Sequence, residues 1–254
     1  MIETLKPDTQ RFFTLLCTSV THDMTKLCRE HPLEYTQVTM SHIFGRDGPT
    51  ALDQSLHSPS EDFRAQIIWY LLEIIAAVEM IEDLPLYIRR FPFRKKQVSK
   101  LRYLRHHVEF YFHQVYILEE KLTKYLTFIK NEYNESETQQ ISQSAAYLCK
   151  QVKAAFKEVR KTRGVHVHEK SYEDKTMTQL FFLEALAKSS PEPGLRSLHR
   201  SFFDSTFQKY QREWASTISE NVIAIEKVLD PCFGQLAPCL DLGAGQLLLP
   251  QKYK

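Results

Sequence analysis

The sequence is poor in glycine, which occurs seven times in 254 residues. Stretches that alternate apolar and polar residues, the pattern of a half-buried strand, are also few, whereas Leu, Glu, Lys and Gln are common. Both scarcities argue against a sheet-rich fold. A hydrophobic fraction of 43% suffices for a sizeable core in a chain of this length. The sequence therefore predicts an all-α protein.

Cysteine offers no disulfide framework, because the five cysteines are odd in number, scattered and never spaced as Cys-x-x-Cys. The first ten residues contain acids and a proline where a secretory signal has a basic start and an apolar stretch. We therefore expect reduced thiols and a cytoplasmic location.

Long apolar runs are missing as well. The most hydrophobic stretch, residues 67–81, is interrupted by Glu73 and Glu79 and falls short of the roughly 20 apolar residues that cross a bilayer. It predicts a central buried helix and no membrane partner. Walker-type loops, dinucleotide fingerprints, Gly-x-Ser-x-Gly elbows and His-Glu-x-x-His motifs are also absent. No cofactor is expected.

Apolar residues recurring three and four positions apart predict the helices. The clearest stripe lies in residues 98–133, and a stripe in residues 141–159 predicts an antiparallel partner. Other helices are expected at residues 9–29, from Pro59 through 81, 174–188 and 195–229. We expect one helical domain over residues 1–254, with an irregular tail at 231–254 because that stretch is rich in Gly and Pro.

The most chemically suggestive feature is the stretch 163–169, Arg-Gly-Val-His-Val-His-Glu, which follows the end of a predicted helix. A guanidinium holds a phosphate through two parallel hydrogen bonds. An imidazole near its ordinary pKa takes or gives a proton at neutral pH. Because the ribose 2′-hydroxyl of RNA can be the nucleophile, such groups suit phosphodiester cleavage without a metal ion.

The spacing from Arg163 over four residues to His168 and Glu169, between two helices, resembles the arginine-to-histidine motif of the HEPN superfamily. The helix pair of residues 98–161 is similar to the antiparallel pair that precedes this motif in the family, and residues 109–116 are similar to uncharacterised bacterial members. The resemblance covers about residues 61–229. It implies an HEPN-like antiparallel helical bundle with additional N- and C-terminal helices.

The same resemblance implies an RNA-binding protein whose active members are metal-independent endoribonucleases of toxin or defence systems. It further implies a homodimer with two motifs in one shared cleft, and a partner protein where such systems have two components. On this chain Arg163 would orient or stabilise the scissile phosphate, His168 would carry the acid–base chemistry, and His166 is a second candidate.

A basic run without a single acid lies between Asp83 and Glu109, and Phe91, Phe93 and Tyr103 are interleaved with it. Its cations are Arg89, Arg90, Arg94, Lys95, Lys96, Lys100, Arg102 and Arg105. This composition is typical of a surface that tracks phosphates and stacks bases, and also of a solvated loop that leads into an exposed helix face. RNA contacts are predicted for Arg94, Lys95, Lys96, Arg160 and Lys161.

Other interpretations of the motif stay open. Arg163 and Gly164 are also typical of the last turn and the cap of a helix. His166 and His168 are also suited to structural hydrogen bonds or, with Glu169, to holding a metal ion, since a His-x-His pair on an extended segment faces one way. The alternatives to a ribonuclease are therefore a non-catalytic helical binding or scaffold protein and a metal-dependent hydrolase.

Overall fold

The computed structural model describes residues 6–30, 59–92, 98–157, 174–242 and 246–253. Over these ranges the protein is an all-α helical bundle, as the sequence predicted, and its β-pairing there is confined to one antiparallel bridge between Asp241 and Leu247. The α-helices are α1 (Pro7–Glu30), α2 (Pro59–Glu82), α3 (Leu84–Arg89), α4 (Lys100–Glu132), α5 (Gln139–Ala155), α6 (Lys175–Ser189) and α7 (Pro193–Leu240). Short 3-10 helices follow α4 at Ser136–Thr138 and α7 at Gln251–Tyr253.

Helix α4 carries the apolar stripe that the sequence predicted. Ser99 caps its first turn, because its hydroxyl accepts a hydrogen bond from the Arg102 amide at 3.1 Å. The residues of the stripe are all buried: Leu101, Leu104, Val108, Tyr111, Val115, Leu118, Leu122, Tyr125 and Ile129. Burial of this face, rather than helix propensity alone, therefore sets the position of α4.

Helix α2 contains the most hydrophobic stretch of the chain. Ile67, Leu71, Ile74 and Ile81 are buried, but Trp69 and Met80 of the same stretch are exposed, so one face of this helix is open to solvent and the prediction of a helix buried all round is wrong. No helix in the described residues combines the length and the apolar character needed to cross a membrane.

The prediction of an irregular tail from residue 231 is wrong, because α7 continues to Leu240 with Pro231 and Pro238 inside it. A proline lacks the amide that an interior helical position donates, so such a helix needs compensation from packing. That packing comes from buried apolar side chains in the same stretch: Cys232, Phe233, Leu236, Ala237 and Leu240.

The chain after α7 is also attached through specific contacts. Leu247 is buried, and the Tyr253 ring stacks on Phe63 at a centroid distance of 4.8 Å. The Glu132 carboxylate accepts a hydrogen bond from the Tyr253 hydroxyl at 2.9 Å and lies 2.8 Å from the Lys252 ammonium. Residues 246–253 are therefore an integral part of the fold.

The chain divides into two compact units. The first unit comprises Met1–Glu73, Lys121–Gln151 and Lys227–Lys254, and the second comprises Ile74–Glu120 and Val152–Glu226. Several helices contribute residues to both units, so a boundary between the units falls within a helix rather than in a linker.

In the first unit, the N-terminus of α1 is capped by a residue from α7. The Asp230 carboxylate accepts hydrogen bonds from the amides of Asp8 at 3.1 Å and Thr9 at 3.0 Å, and from the Thr9 hydroxyl at 3.1 Å. Phe12, one turn further on, stacks on Phe233 at 5.3 Å. A charged cap and an aromatic pair therefore fasten α1 to α7.

In the second unit, α7 fixes α3 and α4 through polar contacts. The Gln211 side-chain amide donates to the Ile88 carbonyl of α3 at 2.6 Å. Asn221 donates to the Tyr111 hydroxyl of α4 at 2.8 Å. Asp174 caps α6 by accepting from the Met177 amide at 2.7 Å. Hydrogen bonds from α7 therefore reach the end of α3 at Ile88 and the fourth turn of α4 at Tyr111.

Candidate nucleic-acid interface

The residues predicted to carry the chemistry lie outside the described part of the chain. Arg160, Lys161, Arg163, His166 and His168 fall between Lys157 and Asp174, and Arg94, Lys95 and Lys96 fall between Pro92 and Val98. Their roles therefore stay predictions. In the sequence, the motif falls in the stretch between the described helices α5 and α6.

The described part of the basic run forms a surface in the second unit. Arg89 and Arg90 stand at the C-terminal end of α3, where the Arg90 amide donates to the Leu86 carbonyl at 3.1 Å and closes the last turn. Lys100, Arg102 and Arg105 follow on the first turns of α4. We call the described residues of α3 and of the first three turns of α4, together with Phe91, the α3–α4 surface.

Three cations of the α3–α4 surface have no salt-bridge partner in the part of the chain that the structure describes. Arg89, Arg90 and Arg102 are exposed and form no salt bridge within the described residues. Lys100 lies 3.7 Å from a carboxylate oxygen of Asp204, and Arg105 lies 3.0 Å from Glu109. The net field of this surface is therefore positive, which attracts polyanions.

Aromatic rings form a continuous chain across the same surface. Phe91 meets Tyr103 edge-on with centroids 5.4 Å apart, and Tyr103 meets His107 edge-on at 4.3 Å. The His107 ring then stacks on Tyr87 of α3 at 5.9 Å, with an angle of 20° between the planes. Of the three rings that the sequence analysis singled out, Phe91 and Tyr103 thus belong to a cluster with His107 and Tyr87, and Phe93 lies outside the described residues.

The environment of His107 disfavours its charged form. Burial lowers the pKa of His107, and the neighbouring imidazole of His106 lowers that pKa further. The Nδ1 atom of His107 is buried and has no hydrogen-bond partner among the described residues. His107 is therefore a neutral, packed ring at physiological pH, suited to supporting Tyr87 rather than to binding a phosphate.

Another candidate, a serine–histidine pair, lacks the geometry of a nucleophile. The Ser190 hydroxyl lies 2.9 Å from Nδ1 of His199, but it also donates to the Leu186 carbonyl at 2.7 Å. A hydroxyl has one proton to donate, so His199 is the donor in the contact between the two side chains. This hydrogen bond joins the end of α6 to α7, and His199 does not act as a base toward Ser190.

Within the described ranges, no three or more His, Cys, Asp or Glu side chains are grouped so as to hold a metal ion. Four of the five cysteines have described side chains, and all four are free thiols: Cys17, Cys149, Cys232 and Cys239. Burial raises the pKa of Cys232 to about 11, which makes its thiol unreactive at neutral pH. The described residues thus offer no metal centre.

Comparison with known proteins gives no relatives, because no family model, no curated protein and no solved structure matches the chain.

Sequence reasoning missed Tyr87, His106 and His107 as members of the surface. Part of the pattern was present, since His107 follows Tyr103 by four residues and therefore lies on the same face of α4. The contribution of Tyr87 depends on α3, a short helix that was concealed in the sequence by Pro85 in its first turn and by Pro92 after its end.

Proposed function

We propose that this protein binds RNA through the α3–α4 surface. One observation carries the proposal: Arg89, Arg90 and Arg102 are exposed, form no salt bridge to any described residue, and belong to the same α3–α4 surface as a cluster of aromatic rings. Arginine binds phosphate oxygens in a bidentate manner, and unpaired bases stack on rings, so the two kinds of group serve the two parts of an RNA strand.

The flanking sequence supports the same proposal. Arg94, Lys95 and Lys96 continue the basic run between Arg90 and Lys100 without an intervening acid. Phosphate contacts dominate the affinity of proteins for nucleic acids, so each added cation in one run extends the number of phosphates that can be neutralised. We therefore assign these lysines and Arg94 to RNA binding, together with Arg160 and Lys161.

RNA cleavage without a metal ion is the second part of the proposal and rests on the resemblance of residues 163–169 to the HEPN motif. Arg163 would stabilise charge on the scissile phosphate, and His168 would transfer the proton, with His166 as the alternative. A cytoplasmic toxin or defence ribonuclease, acting as a homodimer, fits these roles.

A non-catalytic protein-binding role is the alternative that an observation favours. Leu195, Leu198 and Phe202 are exposed on α7 at spacings of three and four residues, which places them in one stripe. This spacing is typical of a seam between two helices, and the flanking His199 and Ser201 bring no like charges to it. A second copy of the chain is the partner that we propose for this stripe.

The binding proposal is tested with a fluorescently labelled single-stranded RNA and the purified full chain. Fluorescence anisotropy at physiological salt should give saturable binding that the double variant Arg89→Gln/Arg90→Gln weakens at least 10-fold. The matched control Arg11→Gln removes an exposed arginine of the first unit and should bind like the parent. Equal binding by the parent and the double variant would contradict the proposal.

The cleavage proposal is tested with mixed RNA in excess EDTA. We expect cleavage by the parent chain, and a loss of at least 100-fold in the separate variants His168→Ala and Arg163→Ala, because each removes one of the two catalytic groups. A parent that leaves RNA intact, or a His168→Ala variant as fast as the parent, would leave only RNA binding.

A further inference from the structure

Tyr87 of α3 is packed on one side and open to solvent on the other. One face of its ring stacks on His107, yet 46% of the residue stays exposed. Leu86, the preceding residue of α3, is exposed to the same extent. Two adjacent apolar side chains of α3 therefore remain open to solvent, and the exposed cations Arg89 and Arg90 follow them directly in the chain after Ile88.

The Tyr87 ring is held in place by a series of packed rings. His107 supports it, Tyr103 packs edge-on against His107 at 4.3 Å, and Phe91 packs edge-on against Tyr103 at 5.4 Å. Both histidine and tyrosine are held on α4, which Asn221 in turn joins to α7. A ring held in this way loses little conformational freedom when a second planar group stacks on it, so binding costs less entropy.

A cation lies one helical turn from this ring. Arg90 follows Tyr87 by three residues, and its backbone amide also contacts the Tyr87 carbonyl at 3.2 Å. Arg89, the last residue of α3, is also exposed. A planar ligand that stacks on Tyr87 and carries a phosphate is complementary to this arrangement, whereas a simple anion or an apolar peptide uses only half of it.

From this geometry we infer that Tyr87 is a base-stacking site and that the α3–α4 surface takes single-stranded RNA in preference to duplex RNA. An unpaired base extends the stack already formed by Tyr87 and His107, and Arg89 and Arg90 contact the adjoining phosphates. Bases inside a duplex are stacked on one another and leave no face for Tyr87. The inference rests on the proposed RNA-binding function and specifies its substrate class.

The experiment compares three labelled RNA probes of equal length by fluorescence anisotropy with the full chain: a single strand, its perfect duplex and an abasic strand that keeps the phosphates. The variants are Tyr87→Leu, which removes the ring, and Tyr87→Phe, which keeps it. Tyr147→Leu is the matched control, because Tyr147 of α5 is also exposed, at 56%, but belongs to the first unit. Circular dichroism melts verify that each variant is folded.

We expect the parent chain to bind the single strand at least 10-fold more tightly than the duplex or the abasic strand. Tyr87→Leu should weaken binding of the single strand about 5-fold or more, which corresponds to the loss of one stacked base, and should leave the abasic strand unaffected. Tyr87→Phe and Tyr147→Leu should bind like the parent.

Two results would overturn the inference: equal affinity of the parent for the single strand and the abasic strand, or an unchanged affinity of Tyr87→Leu for the single strand. If Arg89→Gln/Arg90→Gln still weakened binding in those cases, phosphate binding by the α3–α4 surface would stand and only the stacking site would fail. If no probe bound at all, the proposed function itself would fail.

Discussion

Replacing Arg89, Arg90 and Arg102 of the α3–α4 surface should change the salt dependence of RNA binding by a calculable amount. Arg89, Arg90 and Arg102 are exposed and form no salt bridge within the described residues, so each can take one phosphate without first leaving a carboxylate. Each phosphate contact to a single strand contributes about −0.7 to the slope of log K against log salt concentration. The three together contribute about −2.

The consequence for affinity follows directly. Raising the salt concentration about fourfold, from about 50 mM to about 200 mM, should weaken these three contacts about 20-fold. The triple variant Arg89→Gln/Arg90→Gln/Arg102→Gln should therefore show a slope less steep by about 2 than the parent, and the difference in affinity should be largest at low salt. The assay is a series of anisotropy titrations at five salt concentrations.

The matched control removes three exposed cations of the first unit, Arg11, Lys150 and Lys227, and changes the net charge by the same amount. Its slope should equal that of the parent, because phosphate contacts depend on where the cations lie. Equal slopes for the triple variant and the parent would refute the assignment of these arginines. Equal changes of the slope in the two triple variants would show that RNA binding depends on the net charge of the chain and not on the position of these arginines.

The remaining predictions concern stability and association. Asp230→Ala should lower the free energy of unfolding by about 1–2 kcal/mol in urea titrations, because α1 loses its cap. The control Glu213→Ala removes an exposed ion pair of α7, the helix that also carries Asp230, and should lower the free energy of unfolding by less than about 0.5 kcal/mol. Equal losses in the two variants would contradict the capping role of Asp230. Because the pKa of His107 is lower in the folded chain than in the unfolded chain, the stability of the protein should fall as the pH drops below about 6.5. The variant His107→Phe should show a smaller loss of stability between pH 7.5 and pH 5.5 in thermal melts. An unchanged pH dependence in this variant would show that His107 does not cause the loss. Leu198→Glu should weaken self-association in sedimentation at several concentrations, and an unchanged distribution would exclude the α7 stripe as the seam.

The helices that could be predicted from the sequence are those whose buried face or first turn is determined by the spacing of nearby residues. The spacing of the apolar residues from Leu101 to Ile129 predicts the buried stripe of α4, and each residue of this stripe is buried in the structure. The start of α2 at Pro59 follows from the same kind of rule, because a proline suits the first turn, where no amide is needed.

Proline also explains where prediction failed. Pro85 stands in the first turn of α3, a position that tolerates it, so a residue that looks like a helix breaker in the sequence begins a helix in the structure. Pro231 lies inside α7, where the burial of Phe233 and Leu236 outweighs the missing hydrogen bond. The tertiary packing of these residues cannot be predicted from the local sequence around a proline.

The candidate surface was predictable only in part, for a similar reason. The spacing of Phe91 and Tyr103 within a basic run indicated a surface with rings and cations. The stack of Tyr87 on His107 joins two helices that are 20 residues apart at the contact, and it exists only because α3 forms and Gln211 holds its end. Contacts of this kind arise from the fold and have no local signature.

Ultraviolet crosslinking of the full chain to single-stranded RNA, followed by mass spectrometry of the crosslinked peptides, tests the central claim most directly, because it locates the bound strand. The account predicts crosslinks in peptides of the α3–α4 surface, at Tyr87, Phe91 or Tyr103, and their loss from the Arg89→Gln/Arg90→Gln variant. Crosslinks confined to peptides of the first unit, or crosslinks that persist unchanged in that variant, would contradict it.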